Sequence, residues 1–221
     1  MPVDESYVRD LEEAISKFMA PLKDIPFPVV IKSLSGYSVM PFNQNDDVDR
    51  SLLQKLSKAM AKATKKVNED GIFSNRPNEV GNQIEPFVRQ ALNDLGLTAT
   101  IPKTKRGVHK SAGYPDIEIK EDNGRITYLE CKTYNLKSGD SSQRAFYLSP
   151  SEDTKITVDA RHLLVGFEVQ LSERSNKPAY VPVRWGLYTL DKLRVQVKYE
   201  FNASNKNIYL DEALLAEGGL P

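Results

Sequence analysis

Pro115-Asp116 is followed, thirteen residues later, by Glu130-Cys131-Lys132. On a strand successive side chains face opposite ways, so Glu130 and Lys132 share one side while Leu129 and Cys131 take the other. A turn signal at Asp122, Asn123 and Gly124 lies between the two groups. It predicts an antiparallel hairpin that brings both carboxylates to one end of a sheet. Two carboxylates with open coordination positions suit Mg²⁺, which takes oxygen ligands and keeps several waters. Such an ion stabilises charge on a phosphodiester and lowers the pKa of a bound water. Lys132 beside it would orient or help deprotonate that water and offset developing charge. The backbone carbonyl of Cys131 offers a further ligand, its thiol facing away. A lysine between two carboxylates is also an ordinary salt-bridge cluster that needs no metal, so the motif alone leaves both readings open.

Around these residues the period of the apolar pattern changes. Upstream, Val80, Ile84, Phe87, Val88, Ala91, Leu92 and Leu95 make one face of a helix that starts at Pro77 and stops at Gly96, with Pro86 inside it producing a kink or marking its second half. Leu97, Ala99 and Ile101 then alternate as a strand, residues 103–113 form a polar loop, and the hairpin follows. His162 to Gln170 is continuous enough for a buried central strand, and Tyr180 to Leu190 adds another. Val195 to Phe201 alternates as a peripheral strand, and Asp211 to Glu217 reads as a short helix. Nearer the start, Val8, Leu11, Ile15 and Phe18 predict a helix over 4–20 packed on one face. A second helix, over 47–67, buries Leu52, Leu56, Met60 and Val67. Its opposite face carries Lys55, Lys58, Lys62, Lys65 and Lys66 with no compensating acid. Residues 28–46 between them read as a short strand and an irregular loop. The expected fold is α/β: a single mixed central sheet flanked by helices, with residues 1–75 as an N-terminal helical extension and 76–221 as the core.

With 221 residues, 40% of them hydrophobic, the chain has material for one substantial core. Thirty basic residues balance thirty acidic ones, so affinity for nucleic acid must come from local patches rather than a global field. Cys131 is the only cysteine, which excludes an intramolecular disulfide and favours a reducing, cytoplasmic setting. No apolar run approaches the roughly 20 residues of a membrane span, and the acidic opening segment is unlike a secretory signal.

At Asp116, Glu130 and Lys132 the chain resembles the PD-(D/E)XK nuclease superfamily, most closely the type II restriction endonucleases. The likeness runs over about residues 78–170, in the order helix, strand, hairpin, strand. It implies a Mg²⁺-dependent, sequence-specific endonuclease acting on double-stranded DNA, with Mn²⁺ able to substitute. It also implies a homodimer, and a cognate DNA methyltransferase in the same system. Asp116 and Glu130 would be metal ligands and Lys132 the catalytic lysine. The resemblance further suggests Glu85, on the preceding helix, as an accessory acid. The competing partner for Glu85 is Arg89, four residues on, in a plain surface pair. The alternatives are a structure-specific repair or recombination nuclease resembling junction resolvases, and a catalytically silent DNA-binding module.

For DNA contact, Lys103, Lys105, Arg106, His109 and Lys110 form an acid-free loop leading into Asp116, against the alternative of a solvated flexible loop. Lys137, Ser141, Gln143 and Arg144 offer groups suited to base edges, in a segment that also reads as a surface connection. Tyr37, Met40 and Phe42 are either stacking wedges or hydrophobic plugs. His162, opening a buried strand beside Asp159 and Arg161, reads as a satisfied structural residue rather than a second acid–base centre.

Overall fold

The structure is a computed structural model that describes residues 4–19, 22–74, 80–135, 146–174, 176–197 and 204. The described chain separates into two units, residues 26–194 and a smaller one made of segments from 1–25 and 195–221.

The larger unit is built on a six-stranded mixed sheet. Its strands are β2 (Val39–Met40), β3 (Thr98–Thr100), β4 (Ile117–Lys120), β5 (Ile126–Tyr134), β6 (Ala160–Arg174) and β7 (Lys177–Thr189). The two-residue strands β1 (Ile25–Pro26) and β8 (Arg194–Val195) lie where the chain passes between units. The order is β2-β6-β5-β4-β3, with β7 also on β6. β6 is the central strand: β5 runs parallel along one edge, while β2 (parallel) and then β7 (antiparallel) share the other. The expected hairpin forms with Ile117 opposite Leu129. Gly124 closes it, its N–H donating to the Glu121 carbonyl at 2.8 Å and its φ of 83° lying where a side chain is costly.

Strand alternation separates two packing faces. Leu129, Cys131, Leu163, Val165 and Phe167 face α3 (Asp47–Asp70) and α4 (Val80–Asn93), whose Leu52, Leu56, Met60, Ile84, Val88 and Leu92 complete one buried cluster. Tyr128 and His162 face the other side. There they pack with Tyr114, Phe146 and Phe27 in edge-on, tilted and stacked contacts at 5.1–5.8 Å. The expected α/β architecture, one mixed sheet between helices, is the one observed. α3, counted with the extension on sequence, shares this core with the sheet.

Three local expectations need correction. Residues 27–35 form a helix, α2 (Phe27–Ser35), where the Val29-Val30-Ile31 run suggested a strand. Pro28 suits a first helical turn, Phe27, Ile31 and Ser35 are buried one turn apart, and Gly36 ends the helix at φ 84° with its N–H on the Lys32 carbonyl. Packing of that stripe outweighs the weak preference of β-branched residues for strands. The lysine face of α3 is not without acids: Lys62 pairs with Asp94 at 2.5 Å and Lys66 with Asp70 at 2.9 Å. In the smaller unit α1 (Glu5–Met19) forms as expected, but among the described residues its apolar stripe is exposed, Tyr7, Leu11 and Phe18 at 61%, 45% and 69%. Residues 77–79, the strand beyond Val197 and the helix over 211–217 lie outside the described residues.

Candidate active site

β4 pairs with β5 only from Ile117 onward, so Asp116 stands just past the ladder, opposite Glu130. Its carboxylate caps the β5 edge that β4 leaves open: the Cys131 N–H donates to Asp116 Oδ2 at 2.8 Å. Alternation turns Glu130 and Lys132 to one face, where Lys132 Nζ lies 2.7 Å from Glu130 Oε1. Glu130 is buried, and its Oε2 has no hydrogen-bond donor among the described residues. The Lys132 side chain is 30% exposed, beside a Glu130 side chain that is 4% exposed.

α4 brings a third carboxylate. Gly81, one turn before Glu85, lies so close to β5 that an added Cβ would sit 3.6 Å from Thr133 Oγ1. This close approach lets Glu85 share an electrostatic environment with β5. Burial pushes the Glu85 carboxyl up to about 7, with repulsion from Asp116 and Glu130 adding to it and Arg89 and Lys155 pulling back. Glu130 is likewise pushed up to about 7, by burial and then by Asp116, against the pull of Lys132. Burial alone would lower the Lys132 ammonium, but Glu130 at contact distance and Asp116 hold it above its usual value. Arg89 is thus a weaker influence on Glu85 than the two carboxylates. The Cys131 thiol is buried in the core and held protonated by burial, leaving only its backbone to face the site.

Among the described residues, no three His, Cys, Asp or Glu side chains form a ready-made metal cage. The donor set nevertheless fits a hard divalent cation. Mg²⁺ needs one or two carboxylates and keeps waters for the rest. A buried carboxylate oxygen without a donor among the described residues, and two carboxyls raised by burial and by neighbouring acids, are what such a charge would relieve.

Sequence reasoning missed Lys155. It is buried at 3% exposure, and its Nζ donates to the Pro115 carbonyl at 2.6 Å. It belongs to an irregular stretch without periodicity, forty positions from its partner, and the only available signal was a lysine close to a buried strand. His162 lies in the buried ring cluster and is only partly satisfied, its Nε2 having no hydrogen-bond partner among the described residues. Its Nδ1 lies 2.6 Å from the Tyr114 hydroxyl, and burial lowers its pKa to about 3.

The basic loop is an ordered turn. Lys103 bridges to His109, the Gly107 N–H donates to the Thr104 carbonyl, and the His109 ring bonds the Ile101 carbonyl. Lys103, Lys105, Arg106, His109 and Lys110 are all exposed, although Lys105 Nζ is engaged by the Ser35 carbonyl at 3.1 Å. Lys137, Ser141, Gln143 and Arg144 fall outside the described residues. Phe42 packs against the core, Tyr37 is half-buried and Met40 sits on β2.

A mixed sheet with an aspartate at the end of one hairpin strand and Glu-Cys-Lys on the other places the chain among PD-(D/E)XK nucleases of restriction-endonuclease type. Comparison with known proteins narrows this. A sequence profile of the type II restriction enzyme MjaV family matches residues 21–212. The type II restriction enzyme MjaV of Methanocaldococcus jannaschii is 37% identical over 232 residues, covering 98% of this chain and 99% of that one. The chain belongs to the type II restriction enzyme MjaV family, a family of site-specific deoxyribonucleases. The crystal structure of tetrameric restriction endonuclease SfiI bound to cognate DNA aligns with a TM-score of 0.40 at 12% identity, over 68% of this chain and 66% of that one.

Proposed function

We propose that the protein cuts both strands of a specific double-stranded DNA sequence in a Mg²⁺-dependent reaction, Mn²⁺ substituting, at a site formed by Asp116, Glu130, Lys132 and Glu85. The observation that supports this reading is the placement of Asp116 opposite Glu130 at the open edge of β5, within electrostatic reach of Glu85, with the buried Glu130 Oε2 lacking a hydrogen-bond donor among the described residues. Asp116, Glu130 and the Cys131 carbonyl would hold the cation. When bound it supplies positive charge at the scissile phosphate and acidifies water.

The remaining work falls to the chain. Asp116 is kept in place by the Cys131 N–H, so the acceptor geometry exists before substrate arrives. Lys132, tethered by Glu130 and open to solvent, meets the phosphate, orients the attacking water and offsets the charge that develops on phosphate oxygens. Glu85 approaches from the helix side as an accessory acceptor.

The loop carrying Lys103, Lys105, Arg106, His109 and Lys110 is read as a phosphate-contacting surface, supported by its ordered turn and exposed cations leading into Asp116. Lys137, Ser141, Gln143 and Arg144 remain proposed base-edge contacts. The active form is proposed to be a homodimer, two sites being matched to two strands. It would act in the cytoplasm beside a methyltransferase that protects the same sequence. Among the described residues, no helix is long and apolar enough to cross a membrane.

The test is digestion of plasmid DNA with Mg²⁺ or Mn²⁺ against an EDTA control, followed by sequencing of the ends. Discrete fragments sharing one terminal sequence are expected. A smear, or cutting confined to branched DNA, would place the activity with structure-specific nucleases. Binding without any cutting would leave a silent DNA-binding module.

A further inference from the structure

Lys155 is unlike the other cations near this site. Lysine is almost never fully buried unless paired. Lys155 is 3% exposed, yet the one hydrogen bond described for its ammonium goes to a neutral acceptor, the Pro115 carbonyl at 2.6 Å. Burial lowers its pKa, while Asp116, Glu130 and Glu85, in that order, work against the shift and the nearby Lys110 adds to it. The three carboxylates of the candidate site thus oppose the cost of burying this charge without cancelling it.

The segment bearing it is pinned on two sides. Thr154 accepts from the Lys105 N–H at 3.0 Å and Asp153 Oδ1 from the Arg106 N–H at 3.0 Å, both in the basic loop. On the far side the Thr157 N–H donates to the Tyr128 hydroxyl on β5 at 3.1 Å. Pro115 immediately precedes Asp116, so the aspartate is held at both ends. Cys131 fixes its carboxylate and Lys155 fixes the backbone behind it.

We propose that Lys155 is a positioning residue of this site, its buried ammonium clamping the Pro115–Asp116 backbone and acting as the built-in counter-charge that keeps the Glu85, Asp116 and Glu130 carboxylates assembled in the metal-free protein. The proposal rests on reading that cluster as the metal-binding nuclease site. It gives Lys155 no contact with DNA, because the residue is 3% exposed. It also separates Lys155 from Lys132, whose side chain is 30% exposed.

Lys155→Met tests it, since methionine fills similar volume without charge or donor. Three quantities are read for wild type and variant: the melting temperature without metal, its rise on adding Mn²⁺, and single-turnover cleavage of plasmid. Cleavage should fall roughly 100-fold, the scale of a misplaced reacting group, with DNA binding in Ca²⁺ retained. The Mn²⁺-induced rise in melting temperature should exceed that of wild type by about 3 °C or more, a kilocalorie-scale shift for a chain of this length. A lysine that merely stabilised the fold would lower both melting temperatures equally.

Lys155→Arg, which keeps the charge, should retain a wild-type Mn²⁺ response, and it decides the matter if the methionine variant does not fold. Cleavage by Lys155→Met within about threefold of wild type, or an Mn²⁺ response unchanged by it, overturns the proposal, as does an enlarged response in Lys155→Arg. Wild-type protein with neither cleavage nor Mn²⁺ response overturns the nuclease reading itself, and the proposal with it.

Discussion

Glu85 and Glu130 stand on different elements, yet both carboxyls are pushed up to about 7, each by burial first and then by Asp116. The sign of the consequence follows from linkage. Between the ordinary glutamate value of 4.5 and about 7 the folded protein holds protons that the unfolded chain has released. Stability without metal therefore falls as pH rises through that window. A cation favours the ionised carboxylates, so the stabilisation it gives should grow over the same window. Glu85→Gln removes one of the two groups and should flatten the metal-free trend in melting temperature between pH 5 and 8. It should also slow cleavage by orders of magnitude at low Mg²⁺. Near-wild-type cleavage there would return Glu85 to its surface neighbour Arg89. At this scale strand alternation pointed to Glu130 and Lys132 and the hairpin turn to Asp116, whereas Glu85 needed a family resemblance. Lys155 needed coordinates, because no periodic pattern links an irregular segment to the carbonyl of Pro115.

Among the elements, the hairpin turn and the start of α3 are tied by ions in addition to the apolar core they share. Asp49, buried in the first turn of α3, accepts from Arg125 at 2.9 Å, from Arg161 at 2.7 Å and from the Asn43 N–H at 2.9 Å, while Arg125 also grips Glu121. These contacts join the helix start, the β4–β5 turn and the start of β6. Burial alone would raise the Asp49 carboxyl, but Asn43, Arg161 and Arg125 hold it below the usual 3.8. Its contribution to stability is thus present above that value and lost as pH falls through the depressed folded value. Asp49→Ala should destabilise the protein by about 3 kcal/mol, the low end for breaking a buried pair, read as a lower urea midpoint. A midpoint within error of wild type would show that the arginines are held by other groups. The amphipathic helices and the hairpin were legible because burial follows a period of 3.6 or 2. α2 was misread because a nine-residue helix offers a single turn-spaced stripe, which the local Val29-Val30-Ile31 run masks.

For the whole molecule, the feature that bears on assembly is the apolar stripe of α1, left uncovered among the described residues. Tyr7, Val8, Leu11, Ile15 and Phe18 are all exposed, the outermost at 69%. An apolar face of this kind suits the core of an interface. The proposed homodimer should appear in light scattering as twice the single-chain mass, and Leu11→Glu with Ile15→Glu should shift it toward one copy if α1 is the contact. A single-chain mass with and without DNA would contradict the dimer. The balanced charge gave no hint of a DNA partner, since a handful of cations on one loop disappears in a net charge of zero. The central claim is that Asp116, Glu130 and Lys132 perform the cutting. It is tested most directly by single-turnover cleavage of plasmid DNA with Mg²⁺ by Asp116→Ala, Glu130→Ala and Lys132→Ala, beside gel shifts in Ca²⁺. Loss of cleavage in all three with DNA binding retained is the expected result, and near-normal cutting by any one of them would contradict the assignment.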